Sequence, residues 1–160
     1  LHASYRRQRQ MCIRDSPTSN IRNNNRYLFG VGYRAVLPLP MDPILDGRVF
    51  FGQERQLADG APHLGHDVIG TSIGLQMALS PKYSAFVNLS GETRDYGGVD
   101  PLFLVTRADT QLQASAGVNY APAKTWLIRP RVGYTRNVSN IVVNDFSFGA
   151  LELSVVKSFH

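Results

Sequence analysis

The chain has 160 residues, 43% of them apolar and 18% charged, with a formal net charge of +5, which is room for one ordinary domain. Its longest uncharged apolar stretch, Ala35 to Met41, is broken by Pro38 and Pro40, whereas a membrane-crossing helix needs about 18 or more consecutive apolar residues; spanning helices are excluded. The positive charge does not point to nucleic acid. Arg6, Arg7, Arg9 and Arg14 against Asp15 give +3 before residue 17, and the other 13 basic and 11 acidic residues leave a scattered +2 with no basic stripe.

The chain opens at Leu1 without an initiator Met or a charged-then-apolar secretory segment, and is expected to be a fragment. Residues 1–25 read as a leader outside the fold, expected to lack regular packed structure. The run Ser4-Tyr-Arg-Arg-Gln-Arg-Gln-Met-Cys-Ile-Arg-Asp-Ser16 shares no pattern with the rest of the chain and looks like sequencing-adapter read-through; a disordered basic arm is the alternative. Cys12, the only cysteine, lies inside it, so no disulfide within the chain is possible and no thiol chemistry is inferred.

From Arg26 onward the pattern has period two, which puts every second side chain on one face of a strand. Tyr27, Phe29, Val31, Tyr33 and Ala35 oppose Leu28, Gly30, Gly32 and Arg34. A strand is expected over Arg48 to Arg55, but adjacent Phe50 and Phe51 leave its facing ambiguous. Ile69, Thr71, Ile73, Leu75, Met77 and Leu79 then oppose Gly70, Ser72, Gly74, Gln76 and Ala78; Tyr83, Ala85, Val87 and Leu89 oppose Ser84, Phe86, Asn88 and Ser90. The clearest alternation sets Leu112, Ala114, Ala116, Val118 and Tyr120 against Gln111, Gln113, Ser115, Gly117 and Asn119. A helix would scatter that apolar set around its circumference. Trp126, Ile128, Pro130, Val132 and Tyr134 oppose Leu127, Arg129, Arg131, Gly133 and Thr135, and the last strand sets Gly149, Leu151, Leu153, Val155 and Phe159 against Phe148, Ala150, Glu152, Ser154 and Val156.

The links alternate in length. Short Pro-containing turns lie at Leu79 to Tyr83 and Tyr120 to Thr125; longer links rich in Gly, Asp, Asn and Pro lie at Gln56 to His66, Asp95 to Thr106 and Arg136 to Val143. Leu37 to Gly47 is long for the short side. Alternation alone fits a soluble sandwich as well as a membrane barrel, but strands of about 11 residues tilted by about 45° rise close to the 25 Å of the outer-membrane apolar band. Tyr27, Tyr83, Tyr120, Trp126 and Tyr134 are expected at or near strand ends on the apolar face, where a membrane interface holds such rings. The expected fold is all-β: an antiparallel transmembrane β-barrel of which residues 26–160 supply about seven C-terminal strands.

Residues 106–160 resemble the C-terminal barrel of the surface lipoprotein assembly modifiers. The matching run begins at Thr106-Arg-Ala-Asp109; its most specific part is Pro130-Arg-Val-Gly-Tyr-Thr-Arg-Asn-Val-Ser-Asn-Ile141, followed by a closing strand that stops at Phe159. The resemblance implies an outer-membrane barrel of about 14 strands behind a periplasmic domain of tetratricopeptide repeats, with lipoproteins as cargo. It implies outer-membrane lipid and the barrel-assembly machinery as partners, with Phe159 as the assembly signal; His160 after it departs from the pattern.

Arg34, Glu92, Asp109, Arg129, Arg131 and Glu152 are the candidate lumen-facing charges, with Arg94 beside them; structural cross-strand pairing explains them equally well. His63-Leu-Gly-His66-Asp67 offers two imidazoles and a carboxylate, but a polar loop explains it better than a metal site. An embedded hydrolase would need Ser, His and Asp brought together in space; neither catalysis nor a cofactor is expected. The expected function is non-enzymatic assistance to lipoprotein translocation or surface display. A general porin-like barrel and a soluble β-sheet binding module are the rivals.

Overall fold

The computed structural model describes residues 2–8 by their backbone, and residues 24–57 and 61–158. Eight strands, β1 (His2–Gln8), β2 (Asn24–Val36), β3 (Ile44–Gln56), β4 (His66–Ser80), β5 (Tyr83–Val99), β6 (Thr106–Tyr120), β7 (Trp126–Ser139) and β8 (Phe146–Lys157), form one sheet. Each pairs antiparallel with its chain neighbour, in the order β1 to β8. The fold is all-β and the sheet is not closed on itself. Two single-turn 3-10 helices, Pro62–Leu64 and Val142–Asn144, sit in links. Among the described residues no helix is long and apolar enough to cross a membrane.

The register carries the period-two pattern across strands. One row of partners runs Ala35, Leu45, Leu75, Val87, Ala116, Val132, Leu151, and the next Tyr33, Gly47, Ile73, Leu89, Ala114, Tyr134, Gly149. Because antiparallel partners share a face, the apolar sets of β2 to β8 merge into one surface. The ambiguous strand is settled by its neighbours: Phe51 pairs with Phe29 and Ile69 and joins the apolar face, so Phe50 lies on the polar one.

The sheet is staggered. Ala35 lies one residue before the end of β2 (36 − 35), while Leu151 in the same row lies six before the end of β8 (157 − 151). The strand ends thus slide five residues in six steps. At about 3.3 Å per residue against about 4.8 Å between strands, that corresponds to a tilt of roughly 30°, close to that of strands in barrels.

The structure departs from expectation in three places. His2–Gln8 is a strand paired with Arg26 to Gly32, and Asn24 and Asn25 belong to β2, where the sequence predicts no regular structure; an edge strand's unpaired backbone groups template any extended neighbour. The rest of that leader lies outside the described residues. β5 continues through Asp95 to Val99 and β7 through Arg136 to Ser139, so the long links contract to 100–105 and 140–145, while 37–43 is shorter than Leu37 to Gly47. Tyr134 sits mid-strand in β7, paired with Ala114 and Gly149, rather than near an end.

The sheet has a turn end, formed by links 37–43, 81–82 and 121–125, and an opposite link end, formed by 57–65, 100–105 and 140–145.

Candidate functional site

Burial on this sheet is inverted. On β4, His66, Val68, Gly70 and Gly74 of the polar face are buried, while Asp67, Ile69, Thr71 and Ile73 of the apolar face are exposed. Ile69 is 59% exposed and Leu151 83%, whereas Asp109 is 3% and Asn137 2% exposed on the other side. An ordinary sheet buries its apolar face; here the polar face is the sheltered one.

All six candidate charges occur on that polar face. Arg34 is the register partner of Asp46. Arg131 and Glu152 are partners with 3.9 Å between nitrogen and oxygen. Arg129 donates from Nε to Asn119 Oδ1 at 2.5 Å, and its guanidinium lies 5.8 Å from the Phe86 ring centre. Phe86 in turn lies over Gly117, where a Cβ would sit 2.6 Å from the ring. The arrangement repeats on β3 and β4: Arg48 is 5.6 Å from the Phe50 ring centre, and Phe50 covers Gly70. A glycine on one strand lets the aromatic of the next lie flat, so a polar wall accommodates large rings. On β5 to β8 a trough of about 420 Å³ is lined by Asn88, Ser90, Gln113, Ser115, Arg131 and Thr135.

The other two charges, Glu92 and Asp109, belong to a denser group at the link end. Arg94 donates from Nη2 to Glu92 and, at 2.9 Å, to Gln111 Oε1. Arg107 donates from Nε to Asp109 Oδ2 at 2.9 Å and lies 4.5 Å over the Tyr96 ring, which meets the His66 ring at 5.0 Å. Asn24 bonds Glu54 beside them. Sequence reasoning missed Tyr96, Arg107 and Glu54. The signal was there in opposite charges two apart, Glu92 with Arg94 and Arg107 with Asp109, which a strand sets side by side. The same geometry separates His66 from Asp67: His66 turns to Tyr96, while Asp67 pairs with Arg55 at 3.3 Å on the other face. Among the described residues no three His, Cys, Asp or Glu side chains gather as a metal site.

The segment Ser139-Asn140-Ile141 is a clasp. Asn140 Oδ1 accepts the Ala108 N–H at 2.9 Å and Nδ2 donates to Thr106 O at 2.7 Å. Ile141 is 1% exposed and its N–H donates to Ser139 Oγ at 3.1 Å. Asn137 Nδ2 reaches Asn144 O at 2.6 Å and Arg136 pairs with Asp145 at 2.6 Å. Link 140–145 is thereby tied to β6 and β7.

On the apolar face the five interface aromatics divide. Tyr83 and Tyr120 stack at 4.6 Å at the turn end, and Lys157 Nζ lies 5.1 Å over Trp126 beside them. Tyr27 is toward the link end, paired with Gln53, and Tyr134 is central, beside a shallow groove of about 560 Å³ lined by Ile73, Leu89, Gly91, Leu112 and Arg136. Phe159 lies outside the described residues. Compared with models of protein families, with curated proteins and with solved structures, the chain matches none.

Proposed function

We propose that this sheet is part of the wall of a bacterial outer-membrane β-barrel that assists lipoprotein translocation or surface display without chemical catalysis. The observation that carries the membrane reading is the inverted burial: a continuous apolar surface from Phe29 to Val155 stands exposed while Asp109, Asn137 and His66 are sheltered. Lipid satisfies such a surface, and strands of 12 to 17 residues are long enough to cross even when tilted. In a closed barrel the polar face lines the lumen. Outer-membrane lipid and the barrel-assembly machinery are then its partners.

The choice of lipoproteins as cargo is supported by the resemblance over residues 106–160 alone, most specifically by Pro130 to Ile141. Two experiments test the two levels separately. Refolding into lipid vesicles is expected to give a species whose gel mobility changes on heating, whereas a soluble binding module would fold in buffer without lipid. In a Gram-negative host, the barrel-bearing protein co-expressed with a surface lipoprotein is expected to render that lipoprotein accessible to protease on intact cells. Conductance of small solutes without such display would favour a porin-like barrel.

A further inference from the structure

The chain has three lysines, Lys82, Lys124 and Lys157, and all three lie at the turn end of the sheet. Lys82 is in the turn between β4 and β5, Lys124 in that between β6 and β7, and Lys157 is the last residue of β8. Backbone bonds hold these positions together: Ala121 N–H donates to Lys82 O and Ser158 N–H to Thr125 O, both at 2.8 Å. The stacked Tyr83 and Tyr120 and the Lys157-covered Trp126 adjoin them on the apolar face. No Asp or Glu occurs in turns 81–82 or 121–125. At the link end the apolar-face cations are instead arginines already matched by acids, Arg55 by Asp67 and Arg136 by Asp145.

Resting on the membrane reading above, we propose that the turn end is a headgroup-binding rim selective for anionic phospholipids. Lys82 and Lys124 meet lipid phosphates, and Tyr83, Tyr120 and Trp126 sit at the level of the glycerol and carbonyl groups. The chemistry is that of an interface. An aromatic ring with a polar atom is buried on one side and wet on the other, and a lysine extends its ammonium to the phosphates while its methylenes stay in the apolar layer. Anionic surfaces attract each such lysine by about a fivefold gain in binding, and the two exposed turn lysines together by about 25-fold. The link end pairs its apolar-face arginines with acids and adds Asp95 and Asp100, so it has no such preference, and the two ends of the wall differ in the leaflet they favour.

Trp126 is the only tryptophan and lies within the proposed rim, which makes the test direct. The full chain is titrated with vesicles of zwitterionic phosphatidylcholine and with vesicles containing phosphatidylglycerol, and Trp126 emission and its quenching by brominated acyl chains are followed. The expected result is a blue shift in both, tighter binding to the anionic vesicles at low salt, and quenching strongest for bromines near the headgroup. Lys82→Gln with Lys124→Gln should abolish the anionic preference and keep the blue shift; Lys82→Arg with Lys124→Arg should retain both. Equal binding to the two lipids, or an anionic preference unchanged in the double Gln variant, overturns the rim proposal and leaves the membrane reading standing. Trp126 emission that stays at the water-exposed wavelength in every vesicle overturns the membrane reading and the rim with it.

Discussion

On β6, Asp109 is buried against Arg107 while Leu112, three residues on and facing the other way, is 56% exposed; on β8, exposed Leu151 and Leu153 flank Glu152, the partner of Arg131. The two faces of the same strands therefore differ in what they lack rather than in what they contain. On the polar face Arg48, Arg94, Arg107 and Arg129 rest on carboxylates, amides or rings, while Arg26 Nε, His66 Nδ1 and Asn137 Oδ1 are buried without a hydrogen-bond partner among the described residues. The apolar face has contact area and nothing against it. Hydrophobic area costs roughly 25 cal/mol per Å² when left in water, so the second face demands an apolar medium, and the first does not.

The largest effect that would break this contrast comes from adjacent residues of β6. Ala116→Arg places a charge in the middle of the apolar surface and is expected to cost about 2 to 4 kcal/mol of the lipid-inserted state, whereas Ser115→Arg, on the polar face, is expected to be tolerated. Heat-modifiable gel mobility after refolding into vesicles reads both; equal folding contradicts the assigned facing. Glycines sharpen the same contrast at smaller scale. A Cβ at Gly117 would lie 2.6 Å from both the Phe86 ring and the Pro130 carbonyl oxygen, while one at Gly47, on the apolar face, meets nothing within 4 Å. Gly117→Ala is thus expected to destabilise by about 1 to 3 kcal/mol and Gly47→Ala to be neutral, as measured by urea midpoints in the lipid-bound state.

Loosening the clasp should act locally. Asn140→Ala removes two side-chain bonds to the start of β6 and is expected to cost about 1 to 2 kcal/mol, appearing as faster amide exchange at Ala108 and in link 140–145 with little change elsewhere. The smallest effect belongs to Arg131→Gln. Its pairing with Glu152 is long at 3.9 Å and both side chains are about half exposed or more, so the unfolding midpoint should move by less than about 1 kcal/mol. A larger loss would mean that the polar face is less well served by solvent than its exposure indicates.

The seven strands from β2 to β8, and the facing of all of them but β3, were legible because alternation is a local signal that pairing preserves. Strand ends were less legible. Asp95-Tyr96-Gly97-Gly98 and Arg136-Asn137-Val138 read as link because Gly, Asp and Asn are turn formers, yet Asp95 pairs with Ala108, Tyr96 with His66, and Arg136 to Val138 with β6, and ladder pairing overrides local preference. Phe50 and Phe86 also ran against the pattern, as large rings on the polar face. What licenses them is a glycine at Gly70 or Gly117 on the adjacent strand, a relation across 20 or 31 positions (70 − 50, 117 − 86) that no window along the sequence contains. The link-end group was half visible: the charge pairs within β5 and β6 were readable, whereas Tyr96 under Arg107 depended on the register between them.

The strictly neighbour-to-neighbour order of the sheet has one arithmetic consequence. Every step reverses direction, so β2 and β8, six steps apart, run the same way. Joined edge to edge they would make a parallel pair in an otherwise antiparallel wall, which meanders of this kind avoid. A ring that contains these seven strands and keeps its alternation must insert an odd number of others between the two edges. The strand β1 is one such insertion, and with it the edges, β1 and β8, point in opposite directions; seven more would serve equally. Parity, a property of no single residue, would make the strand count of any such ring even.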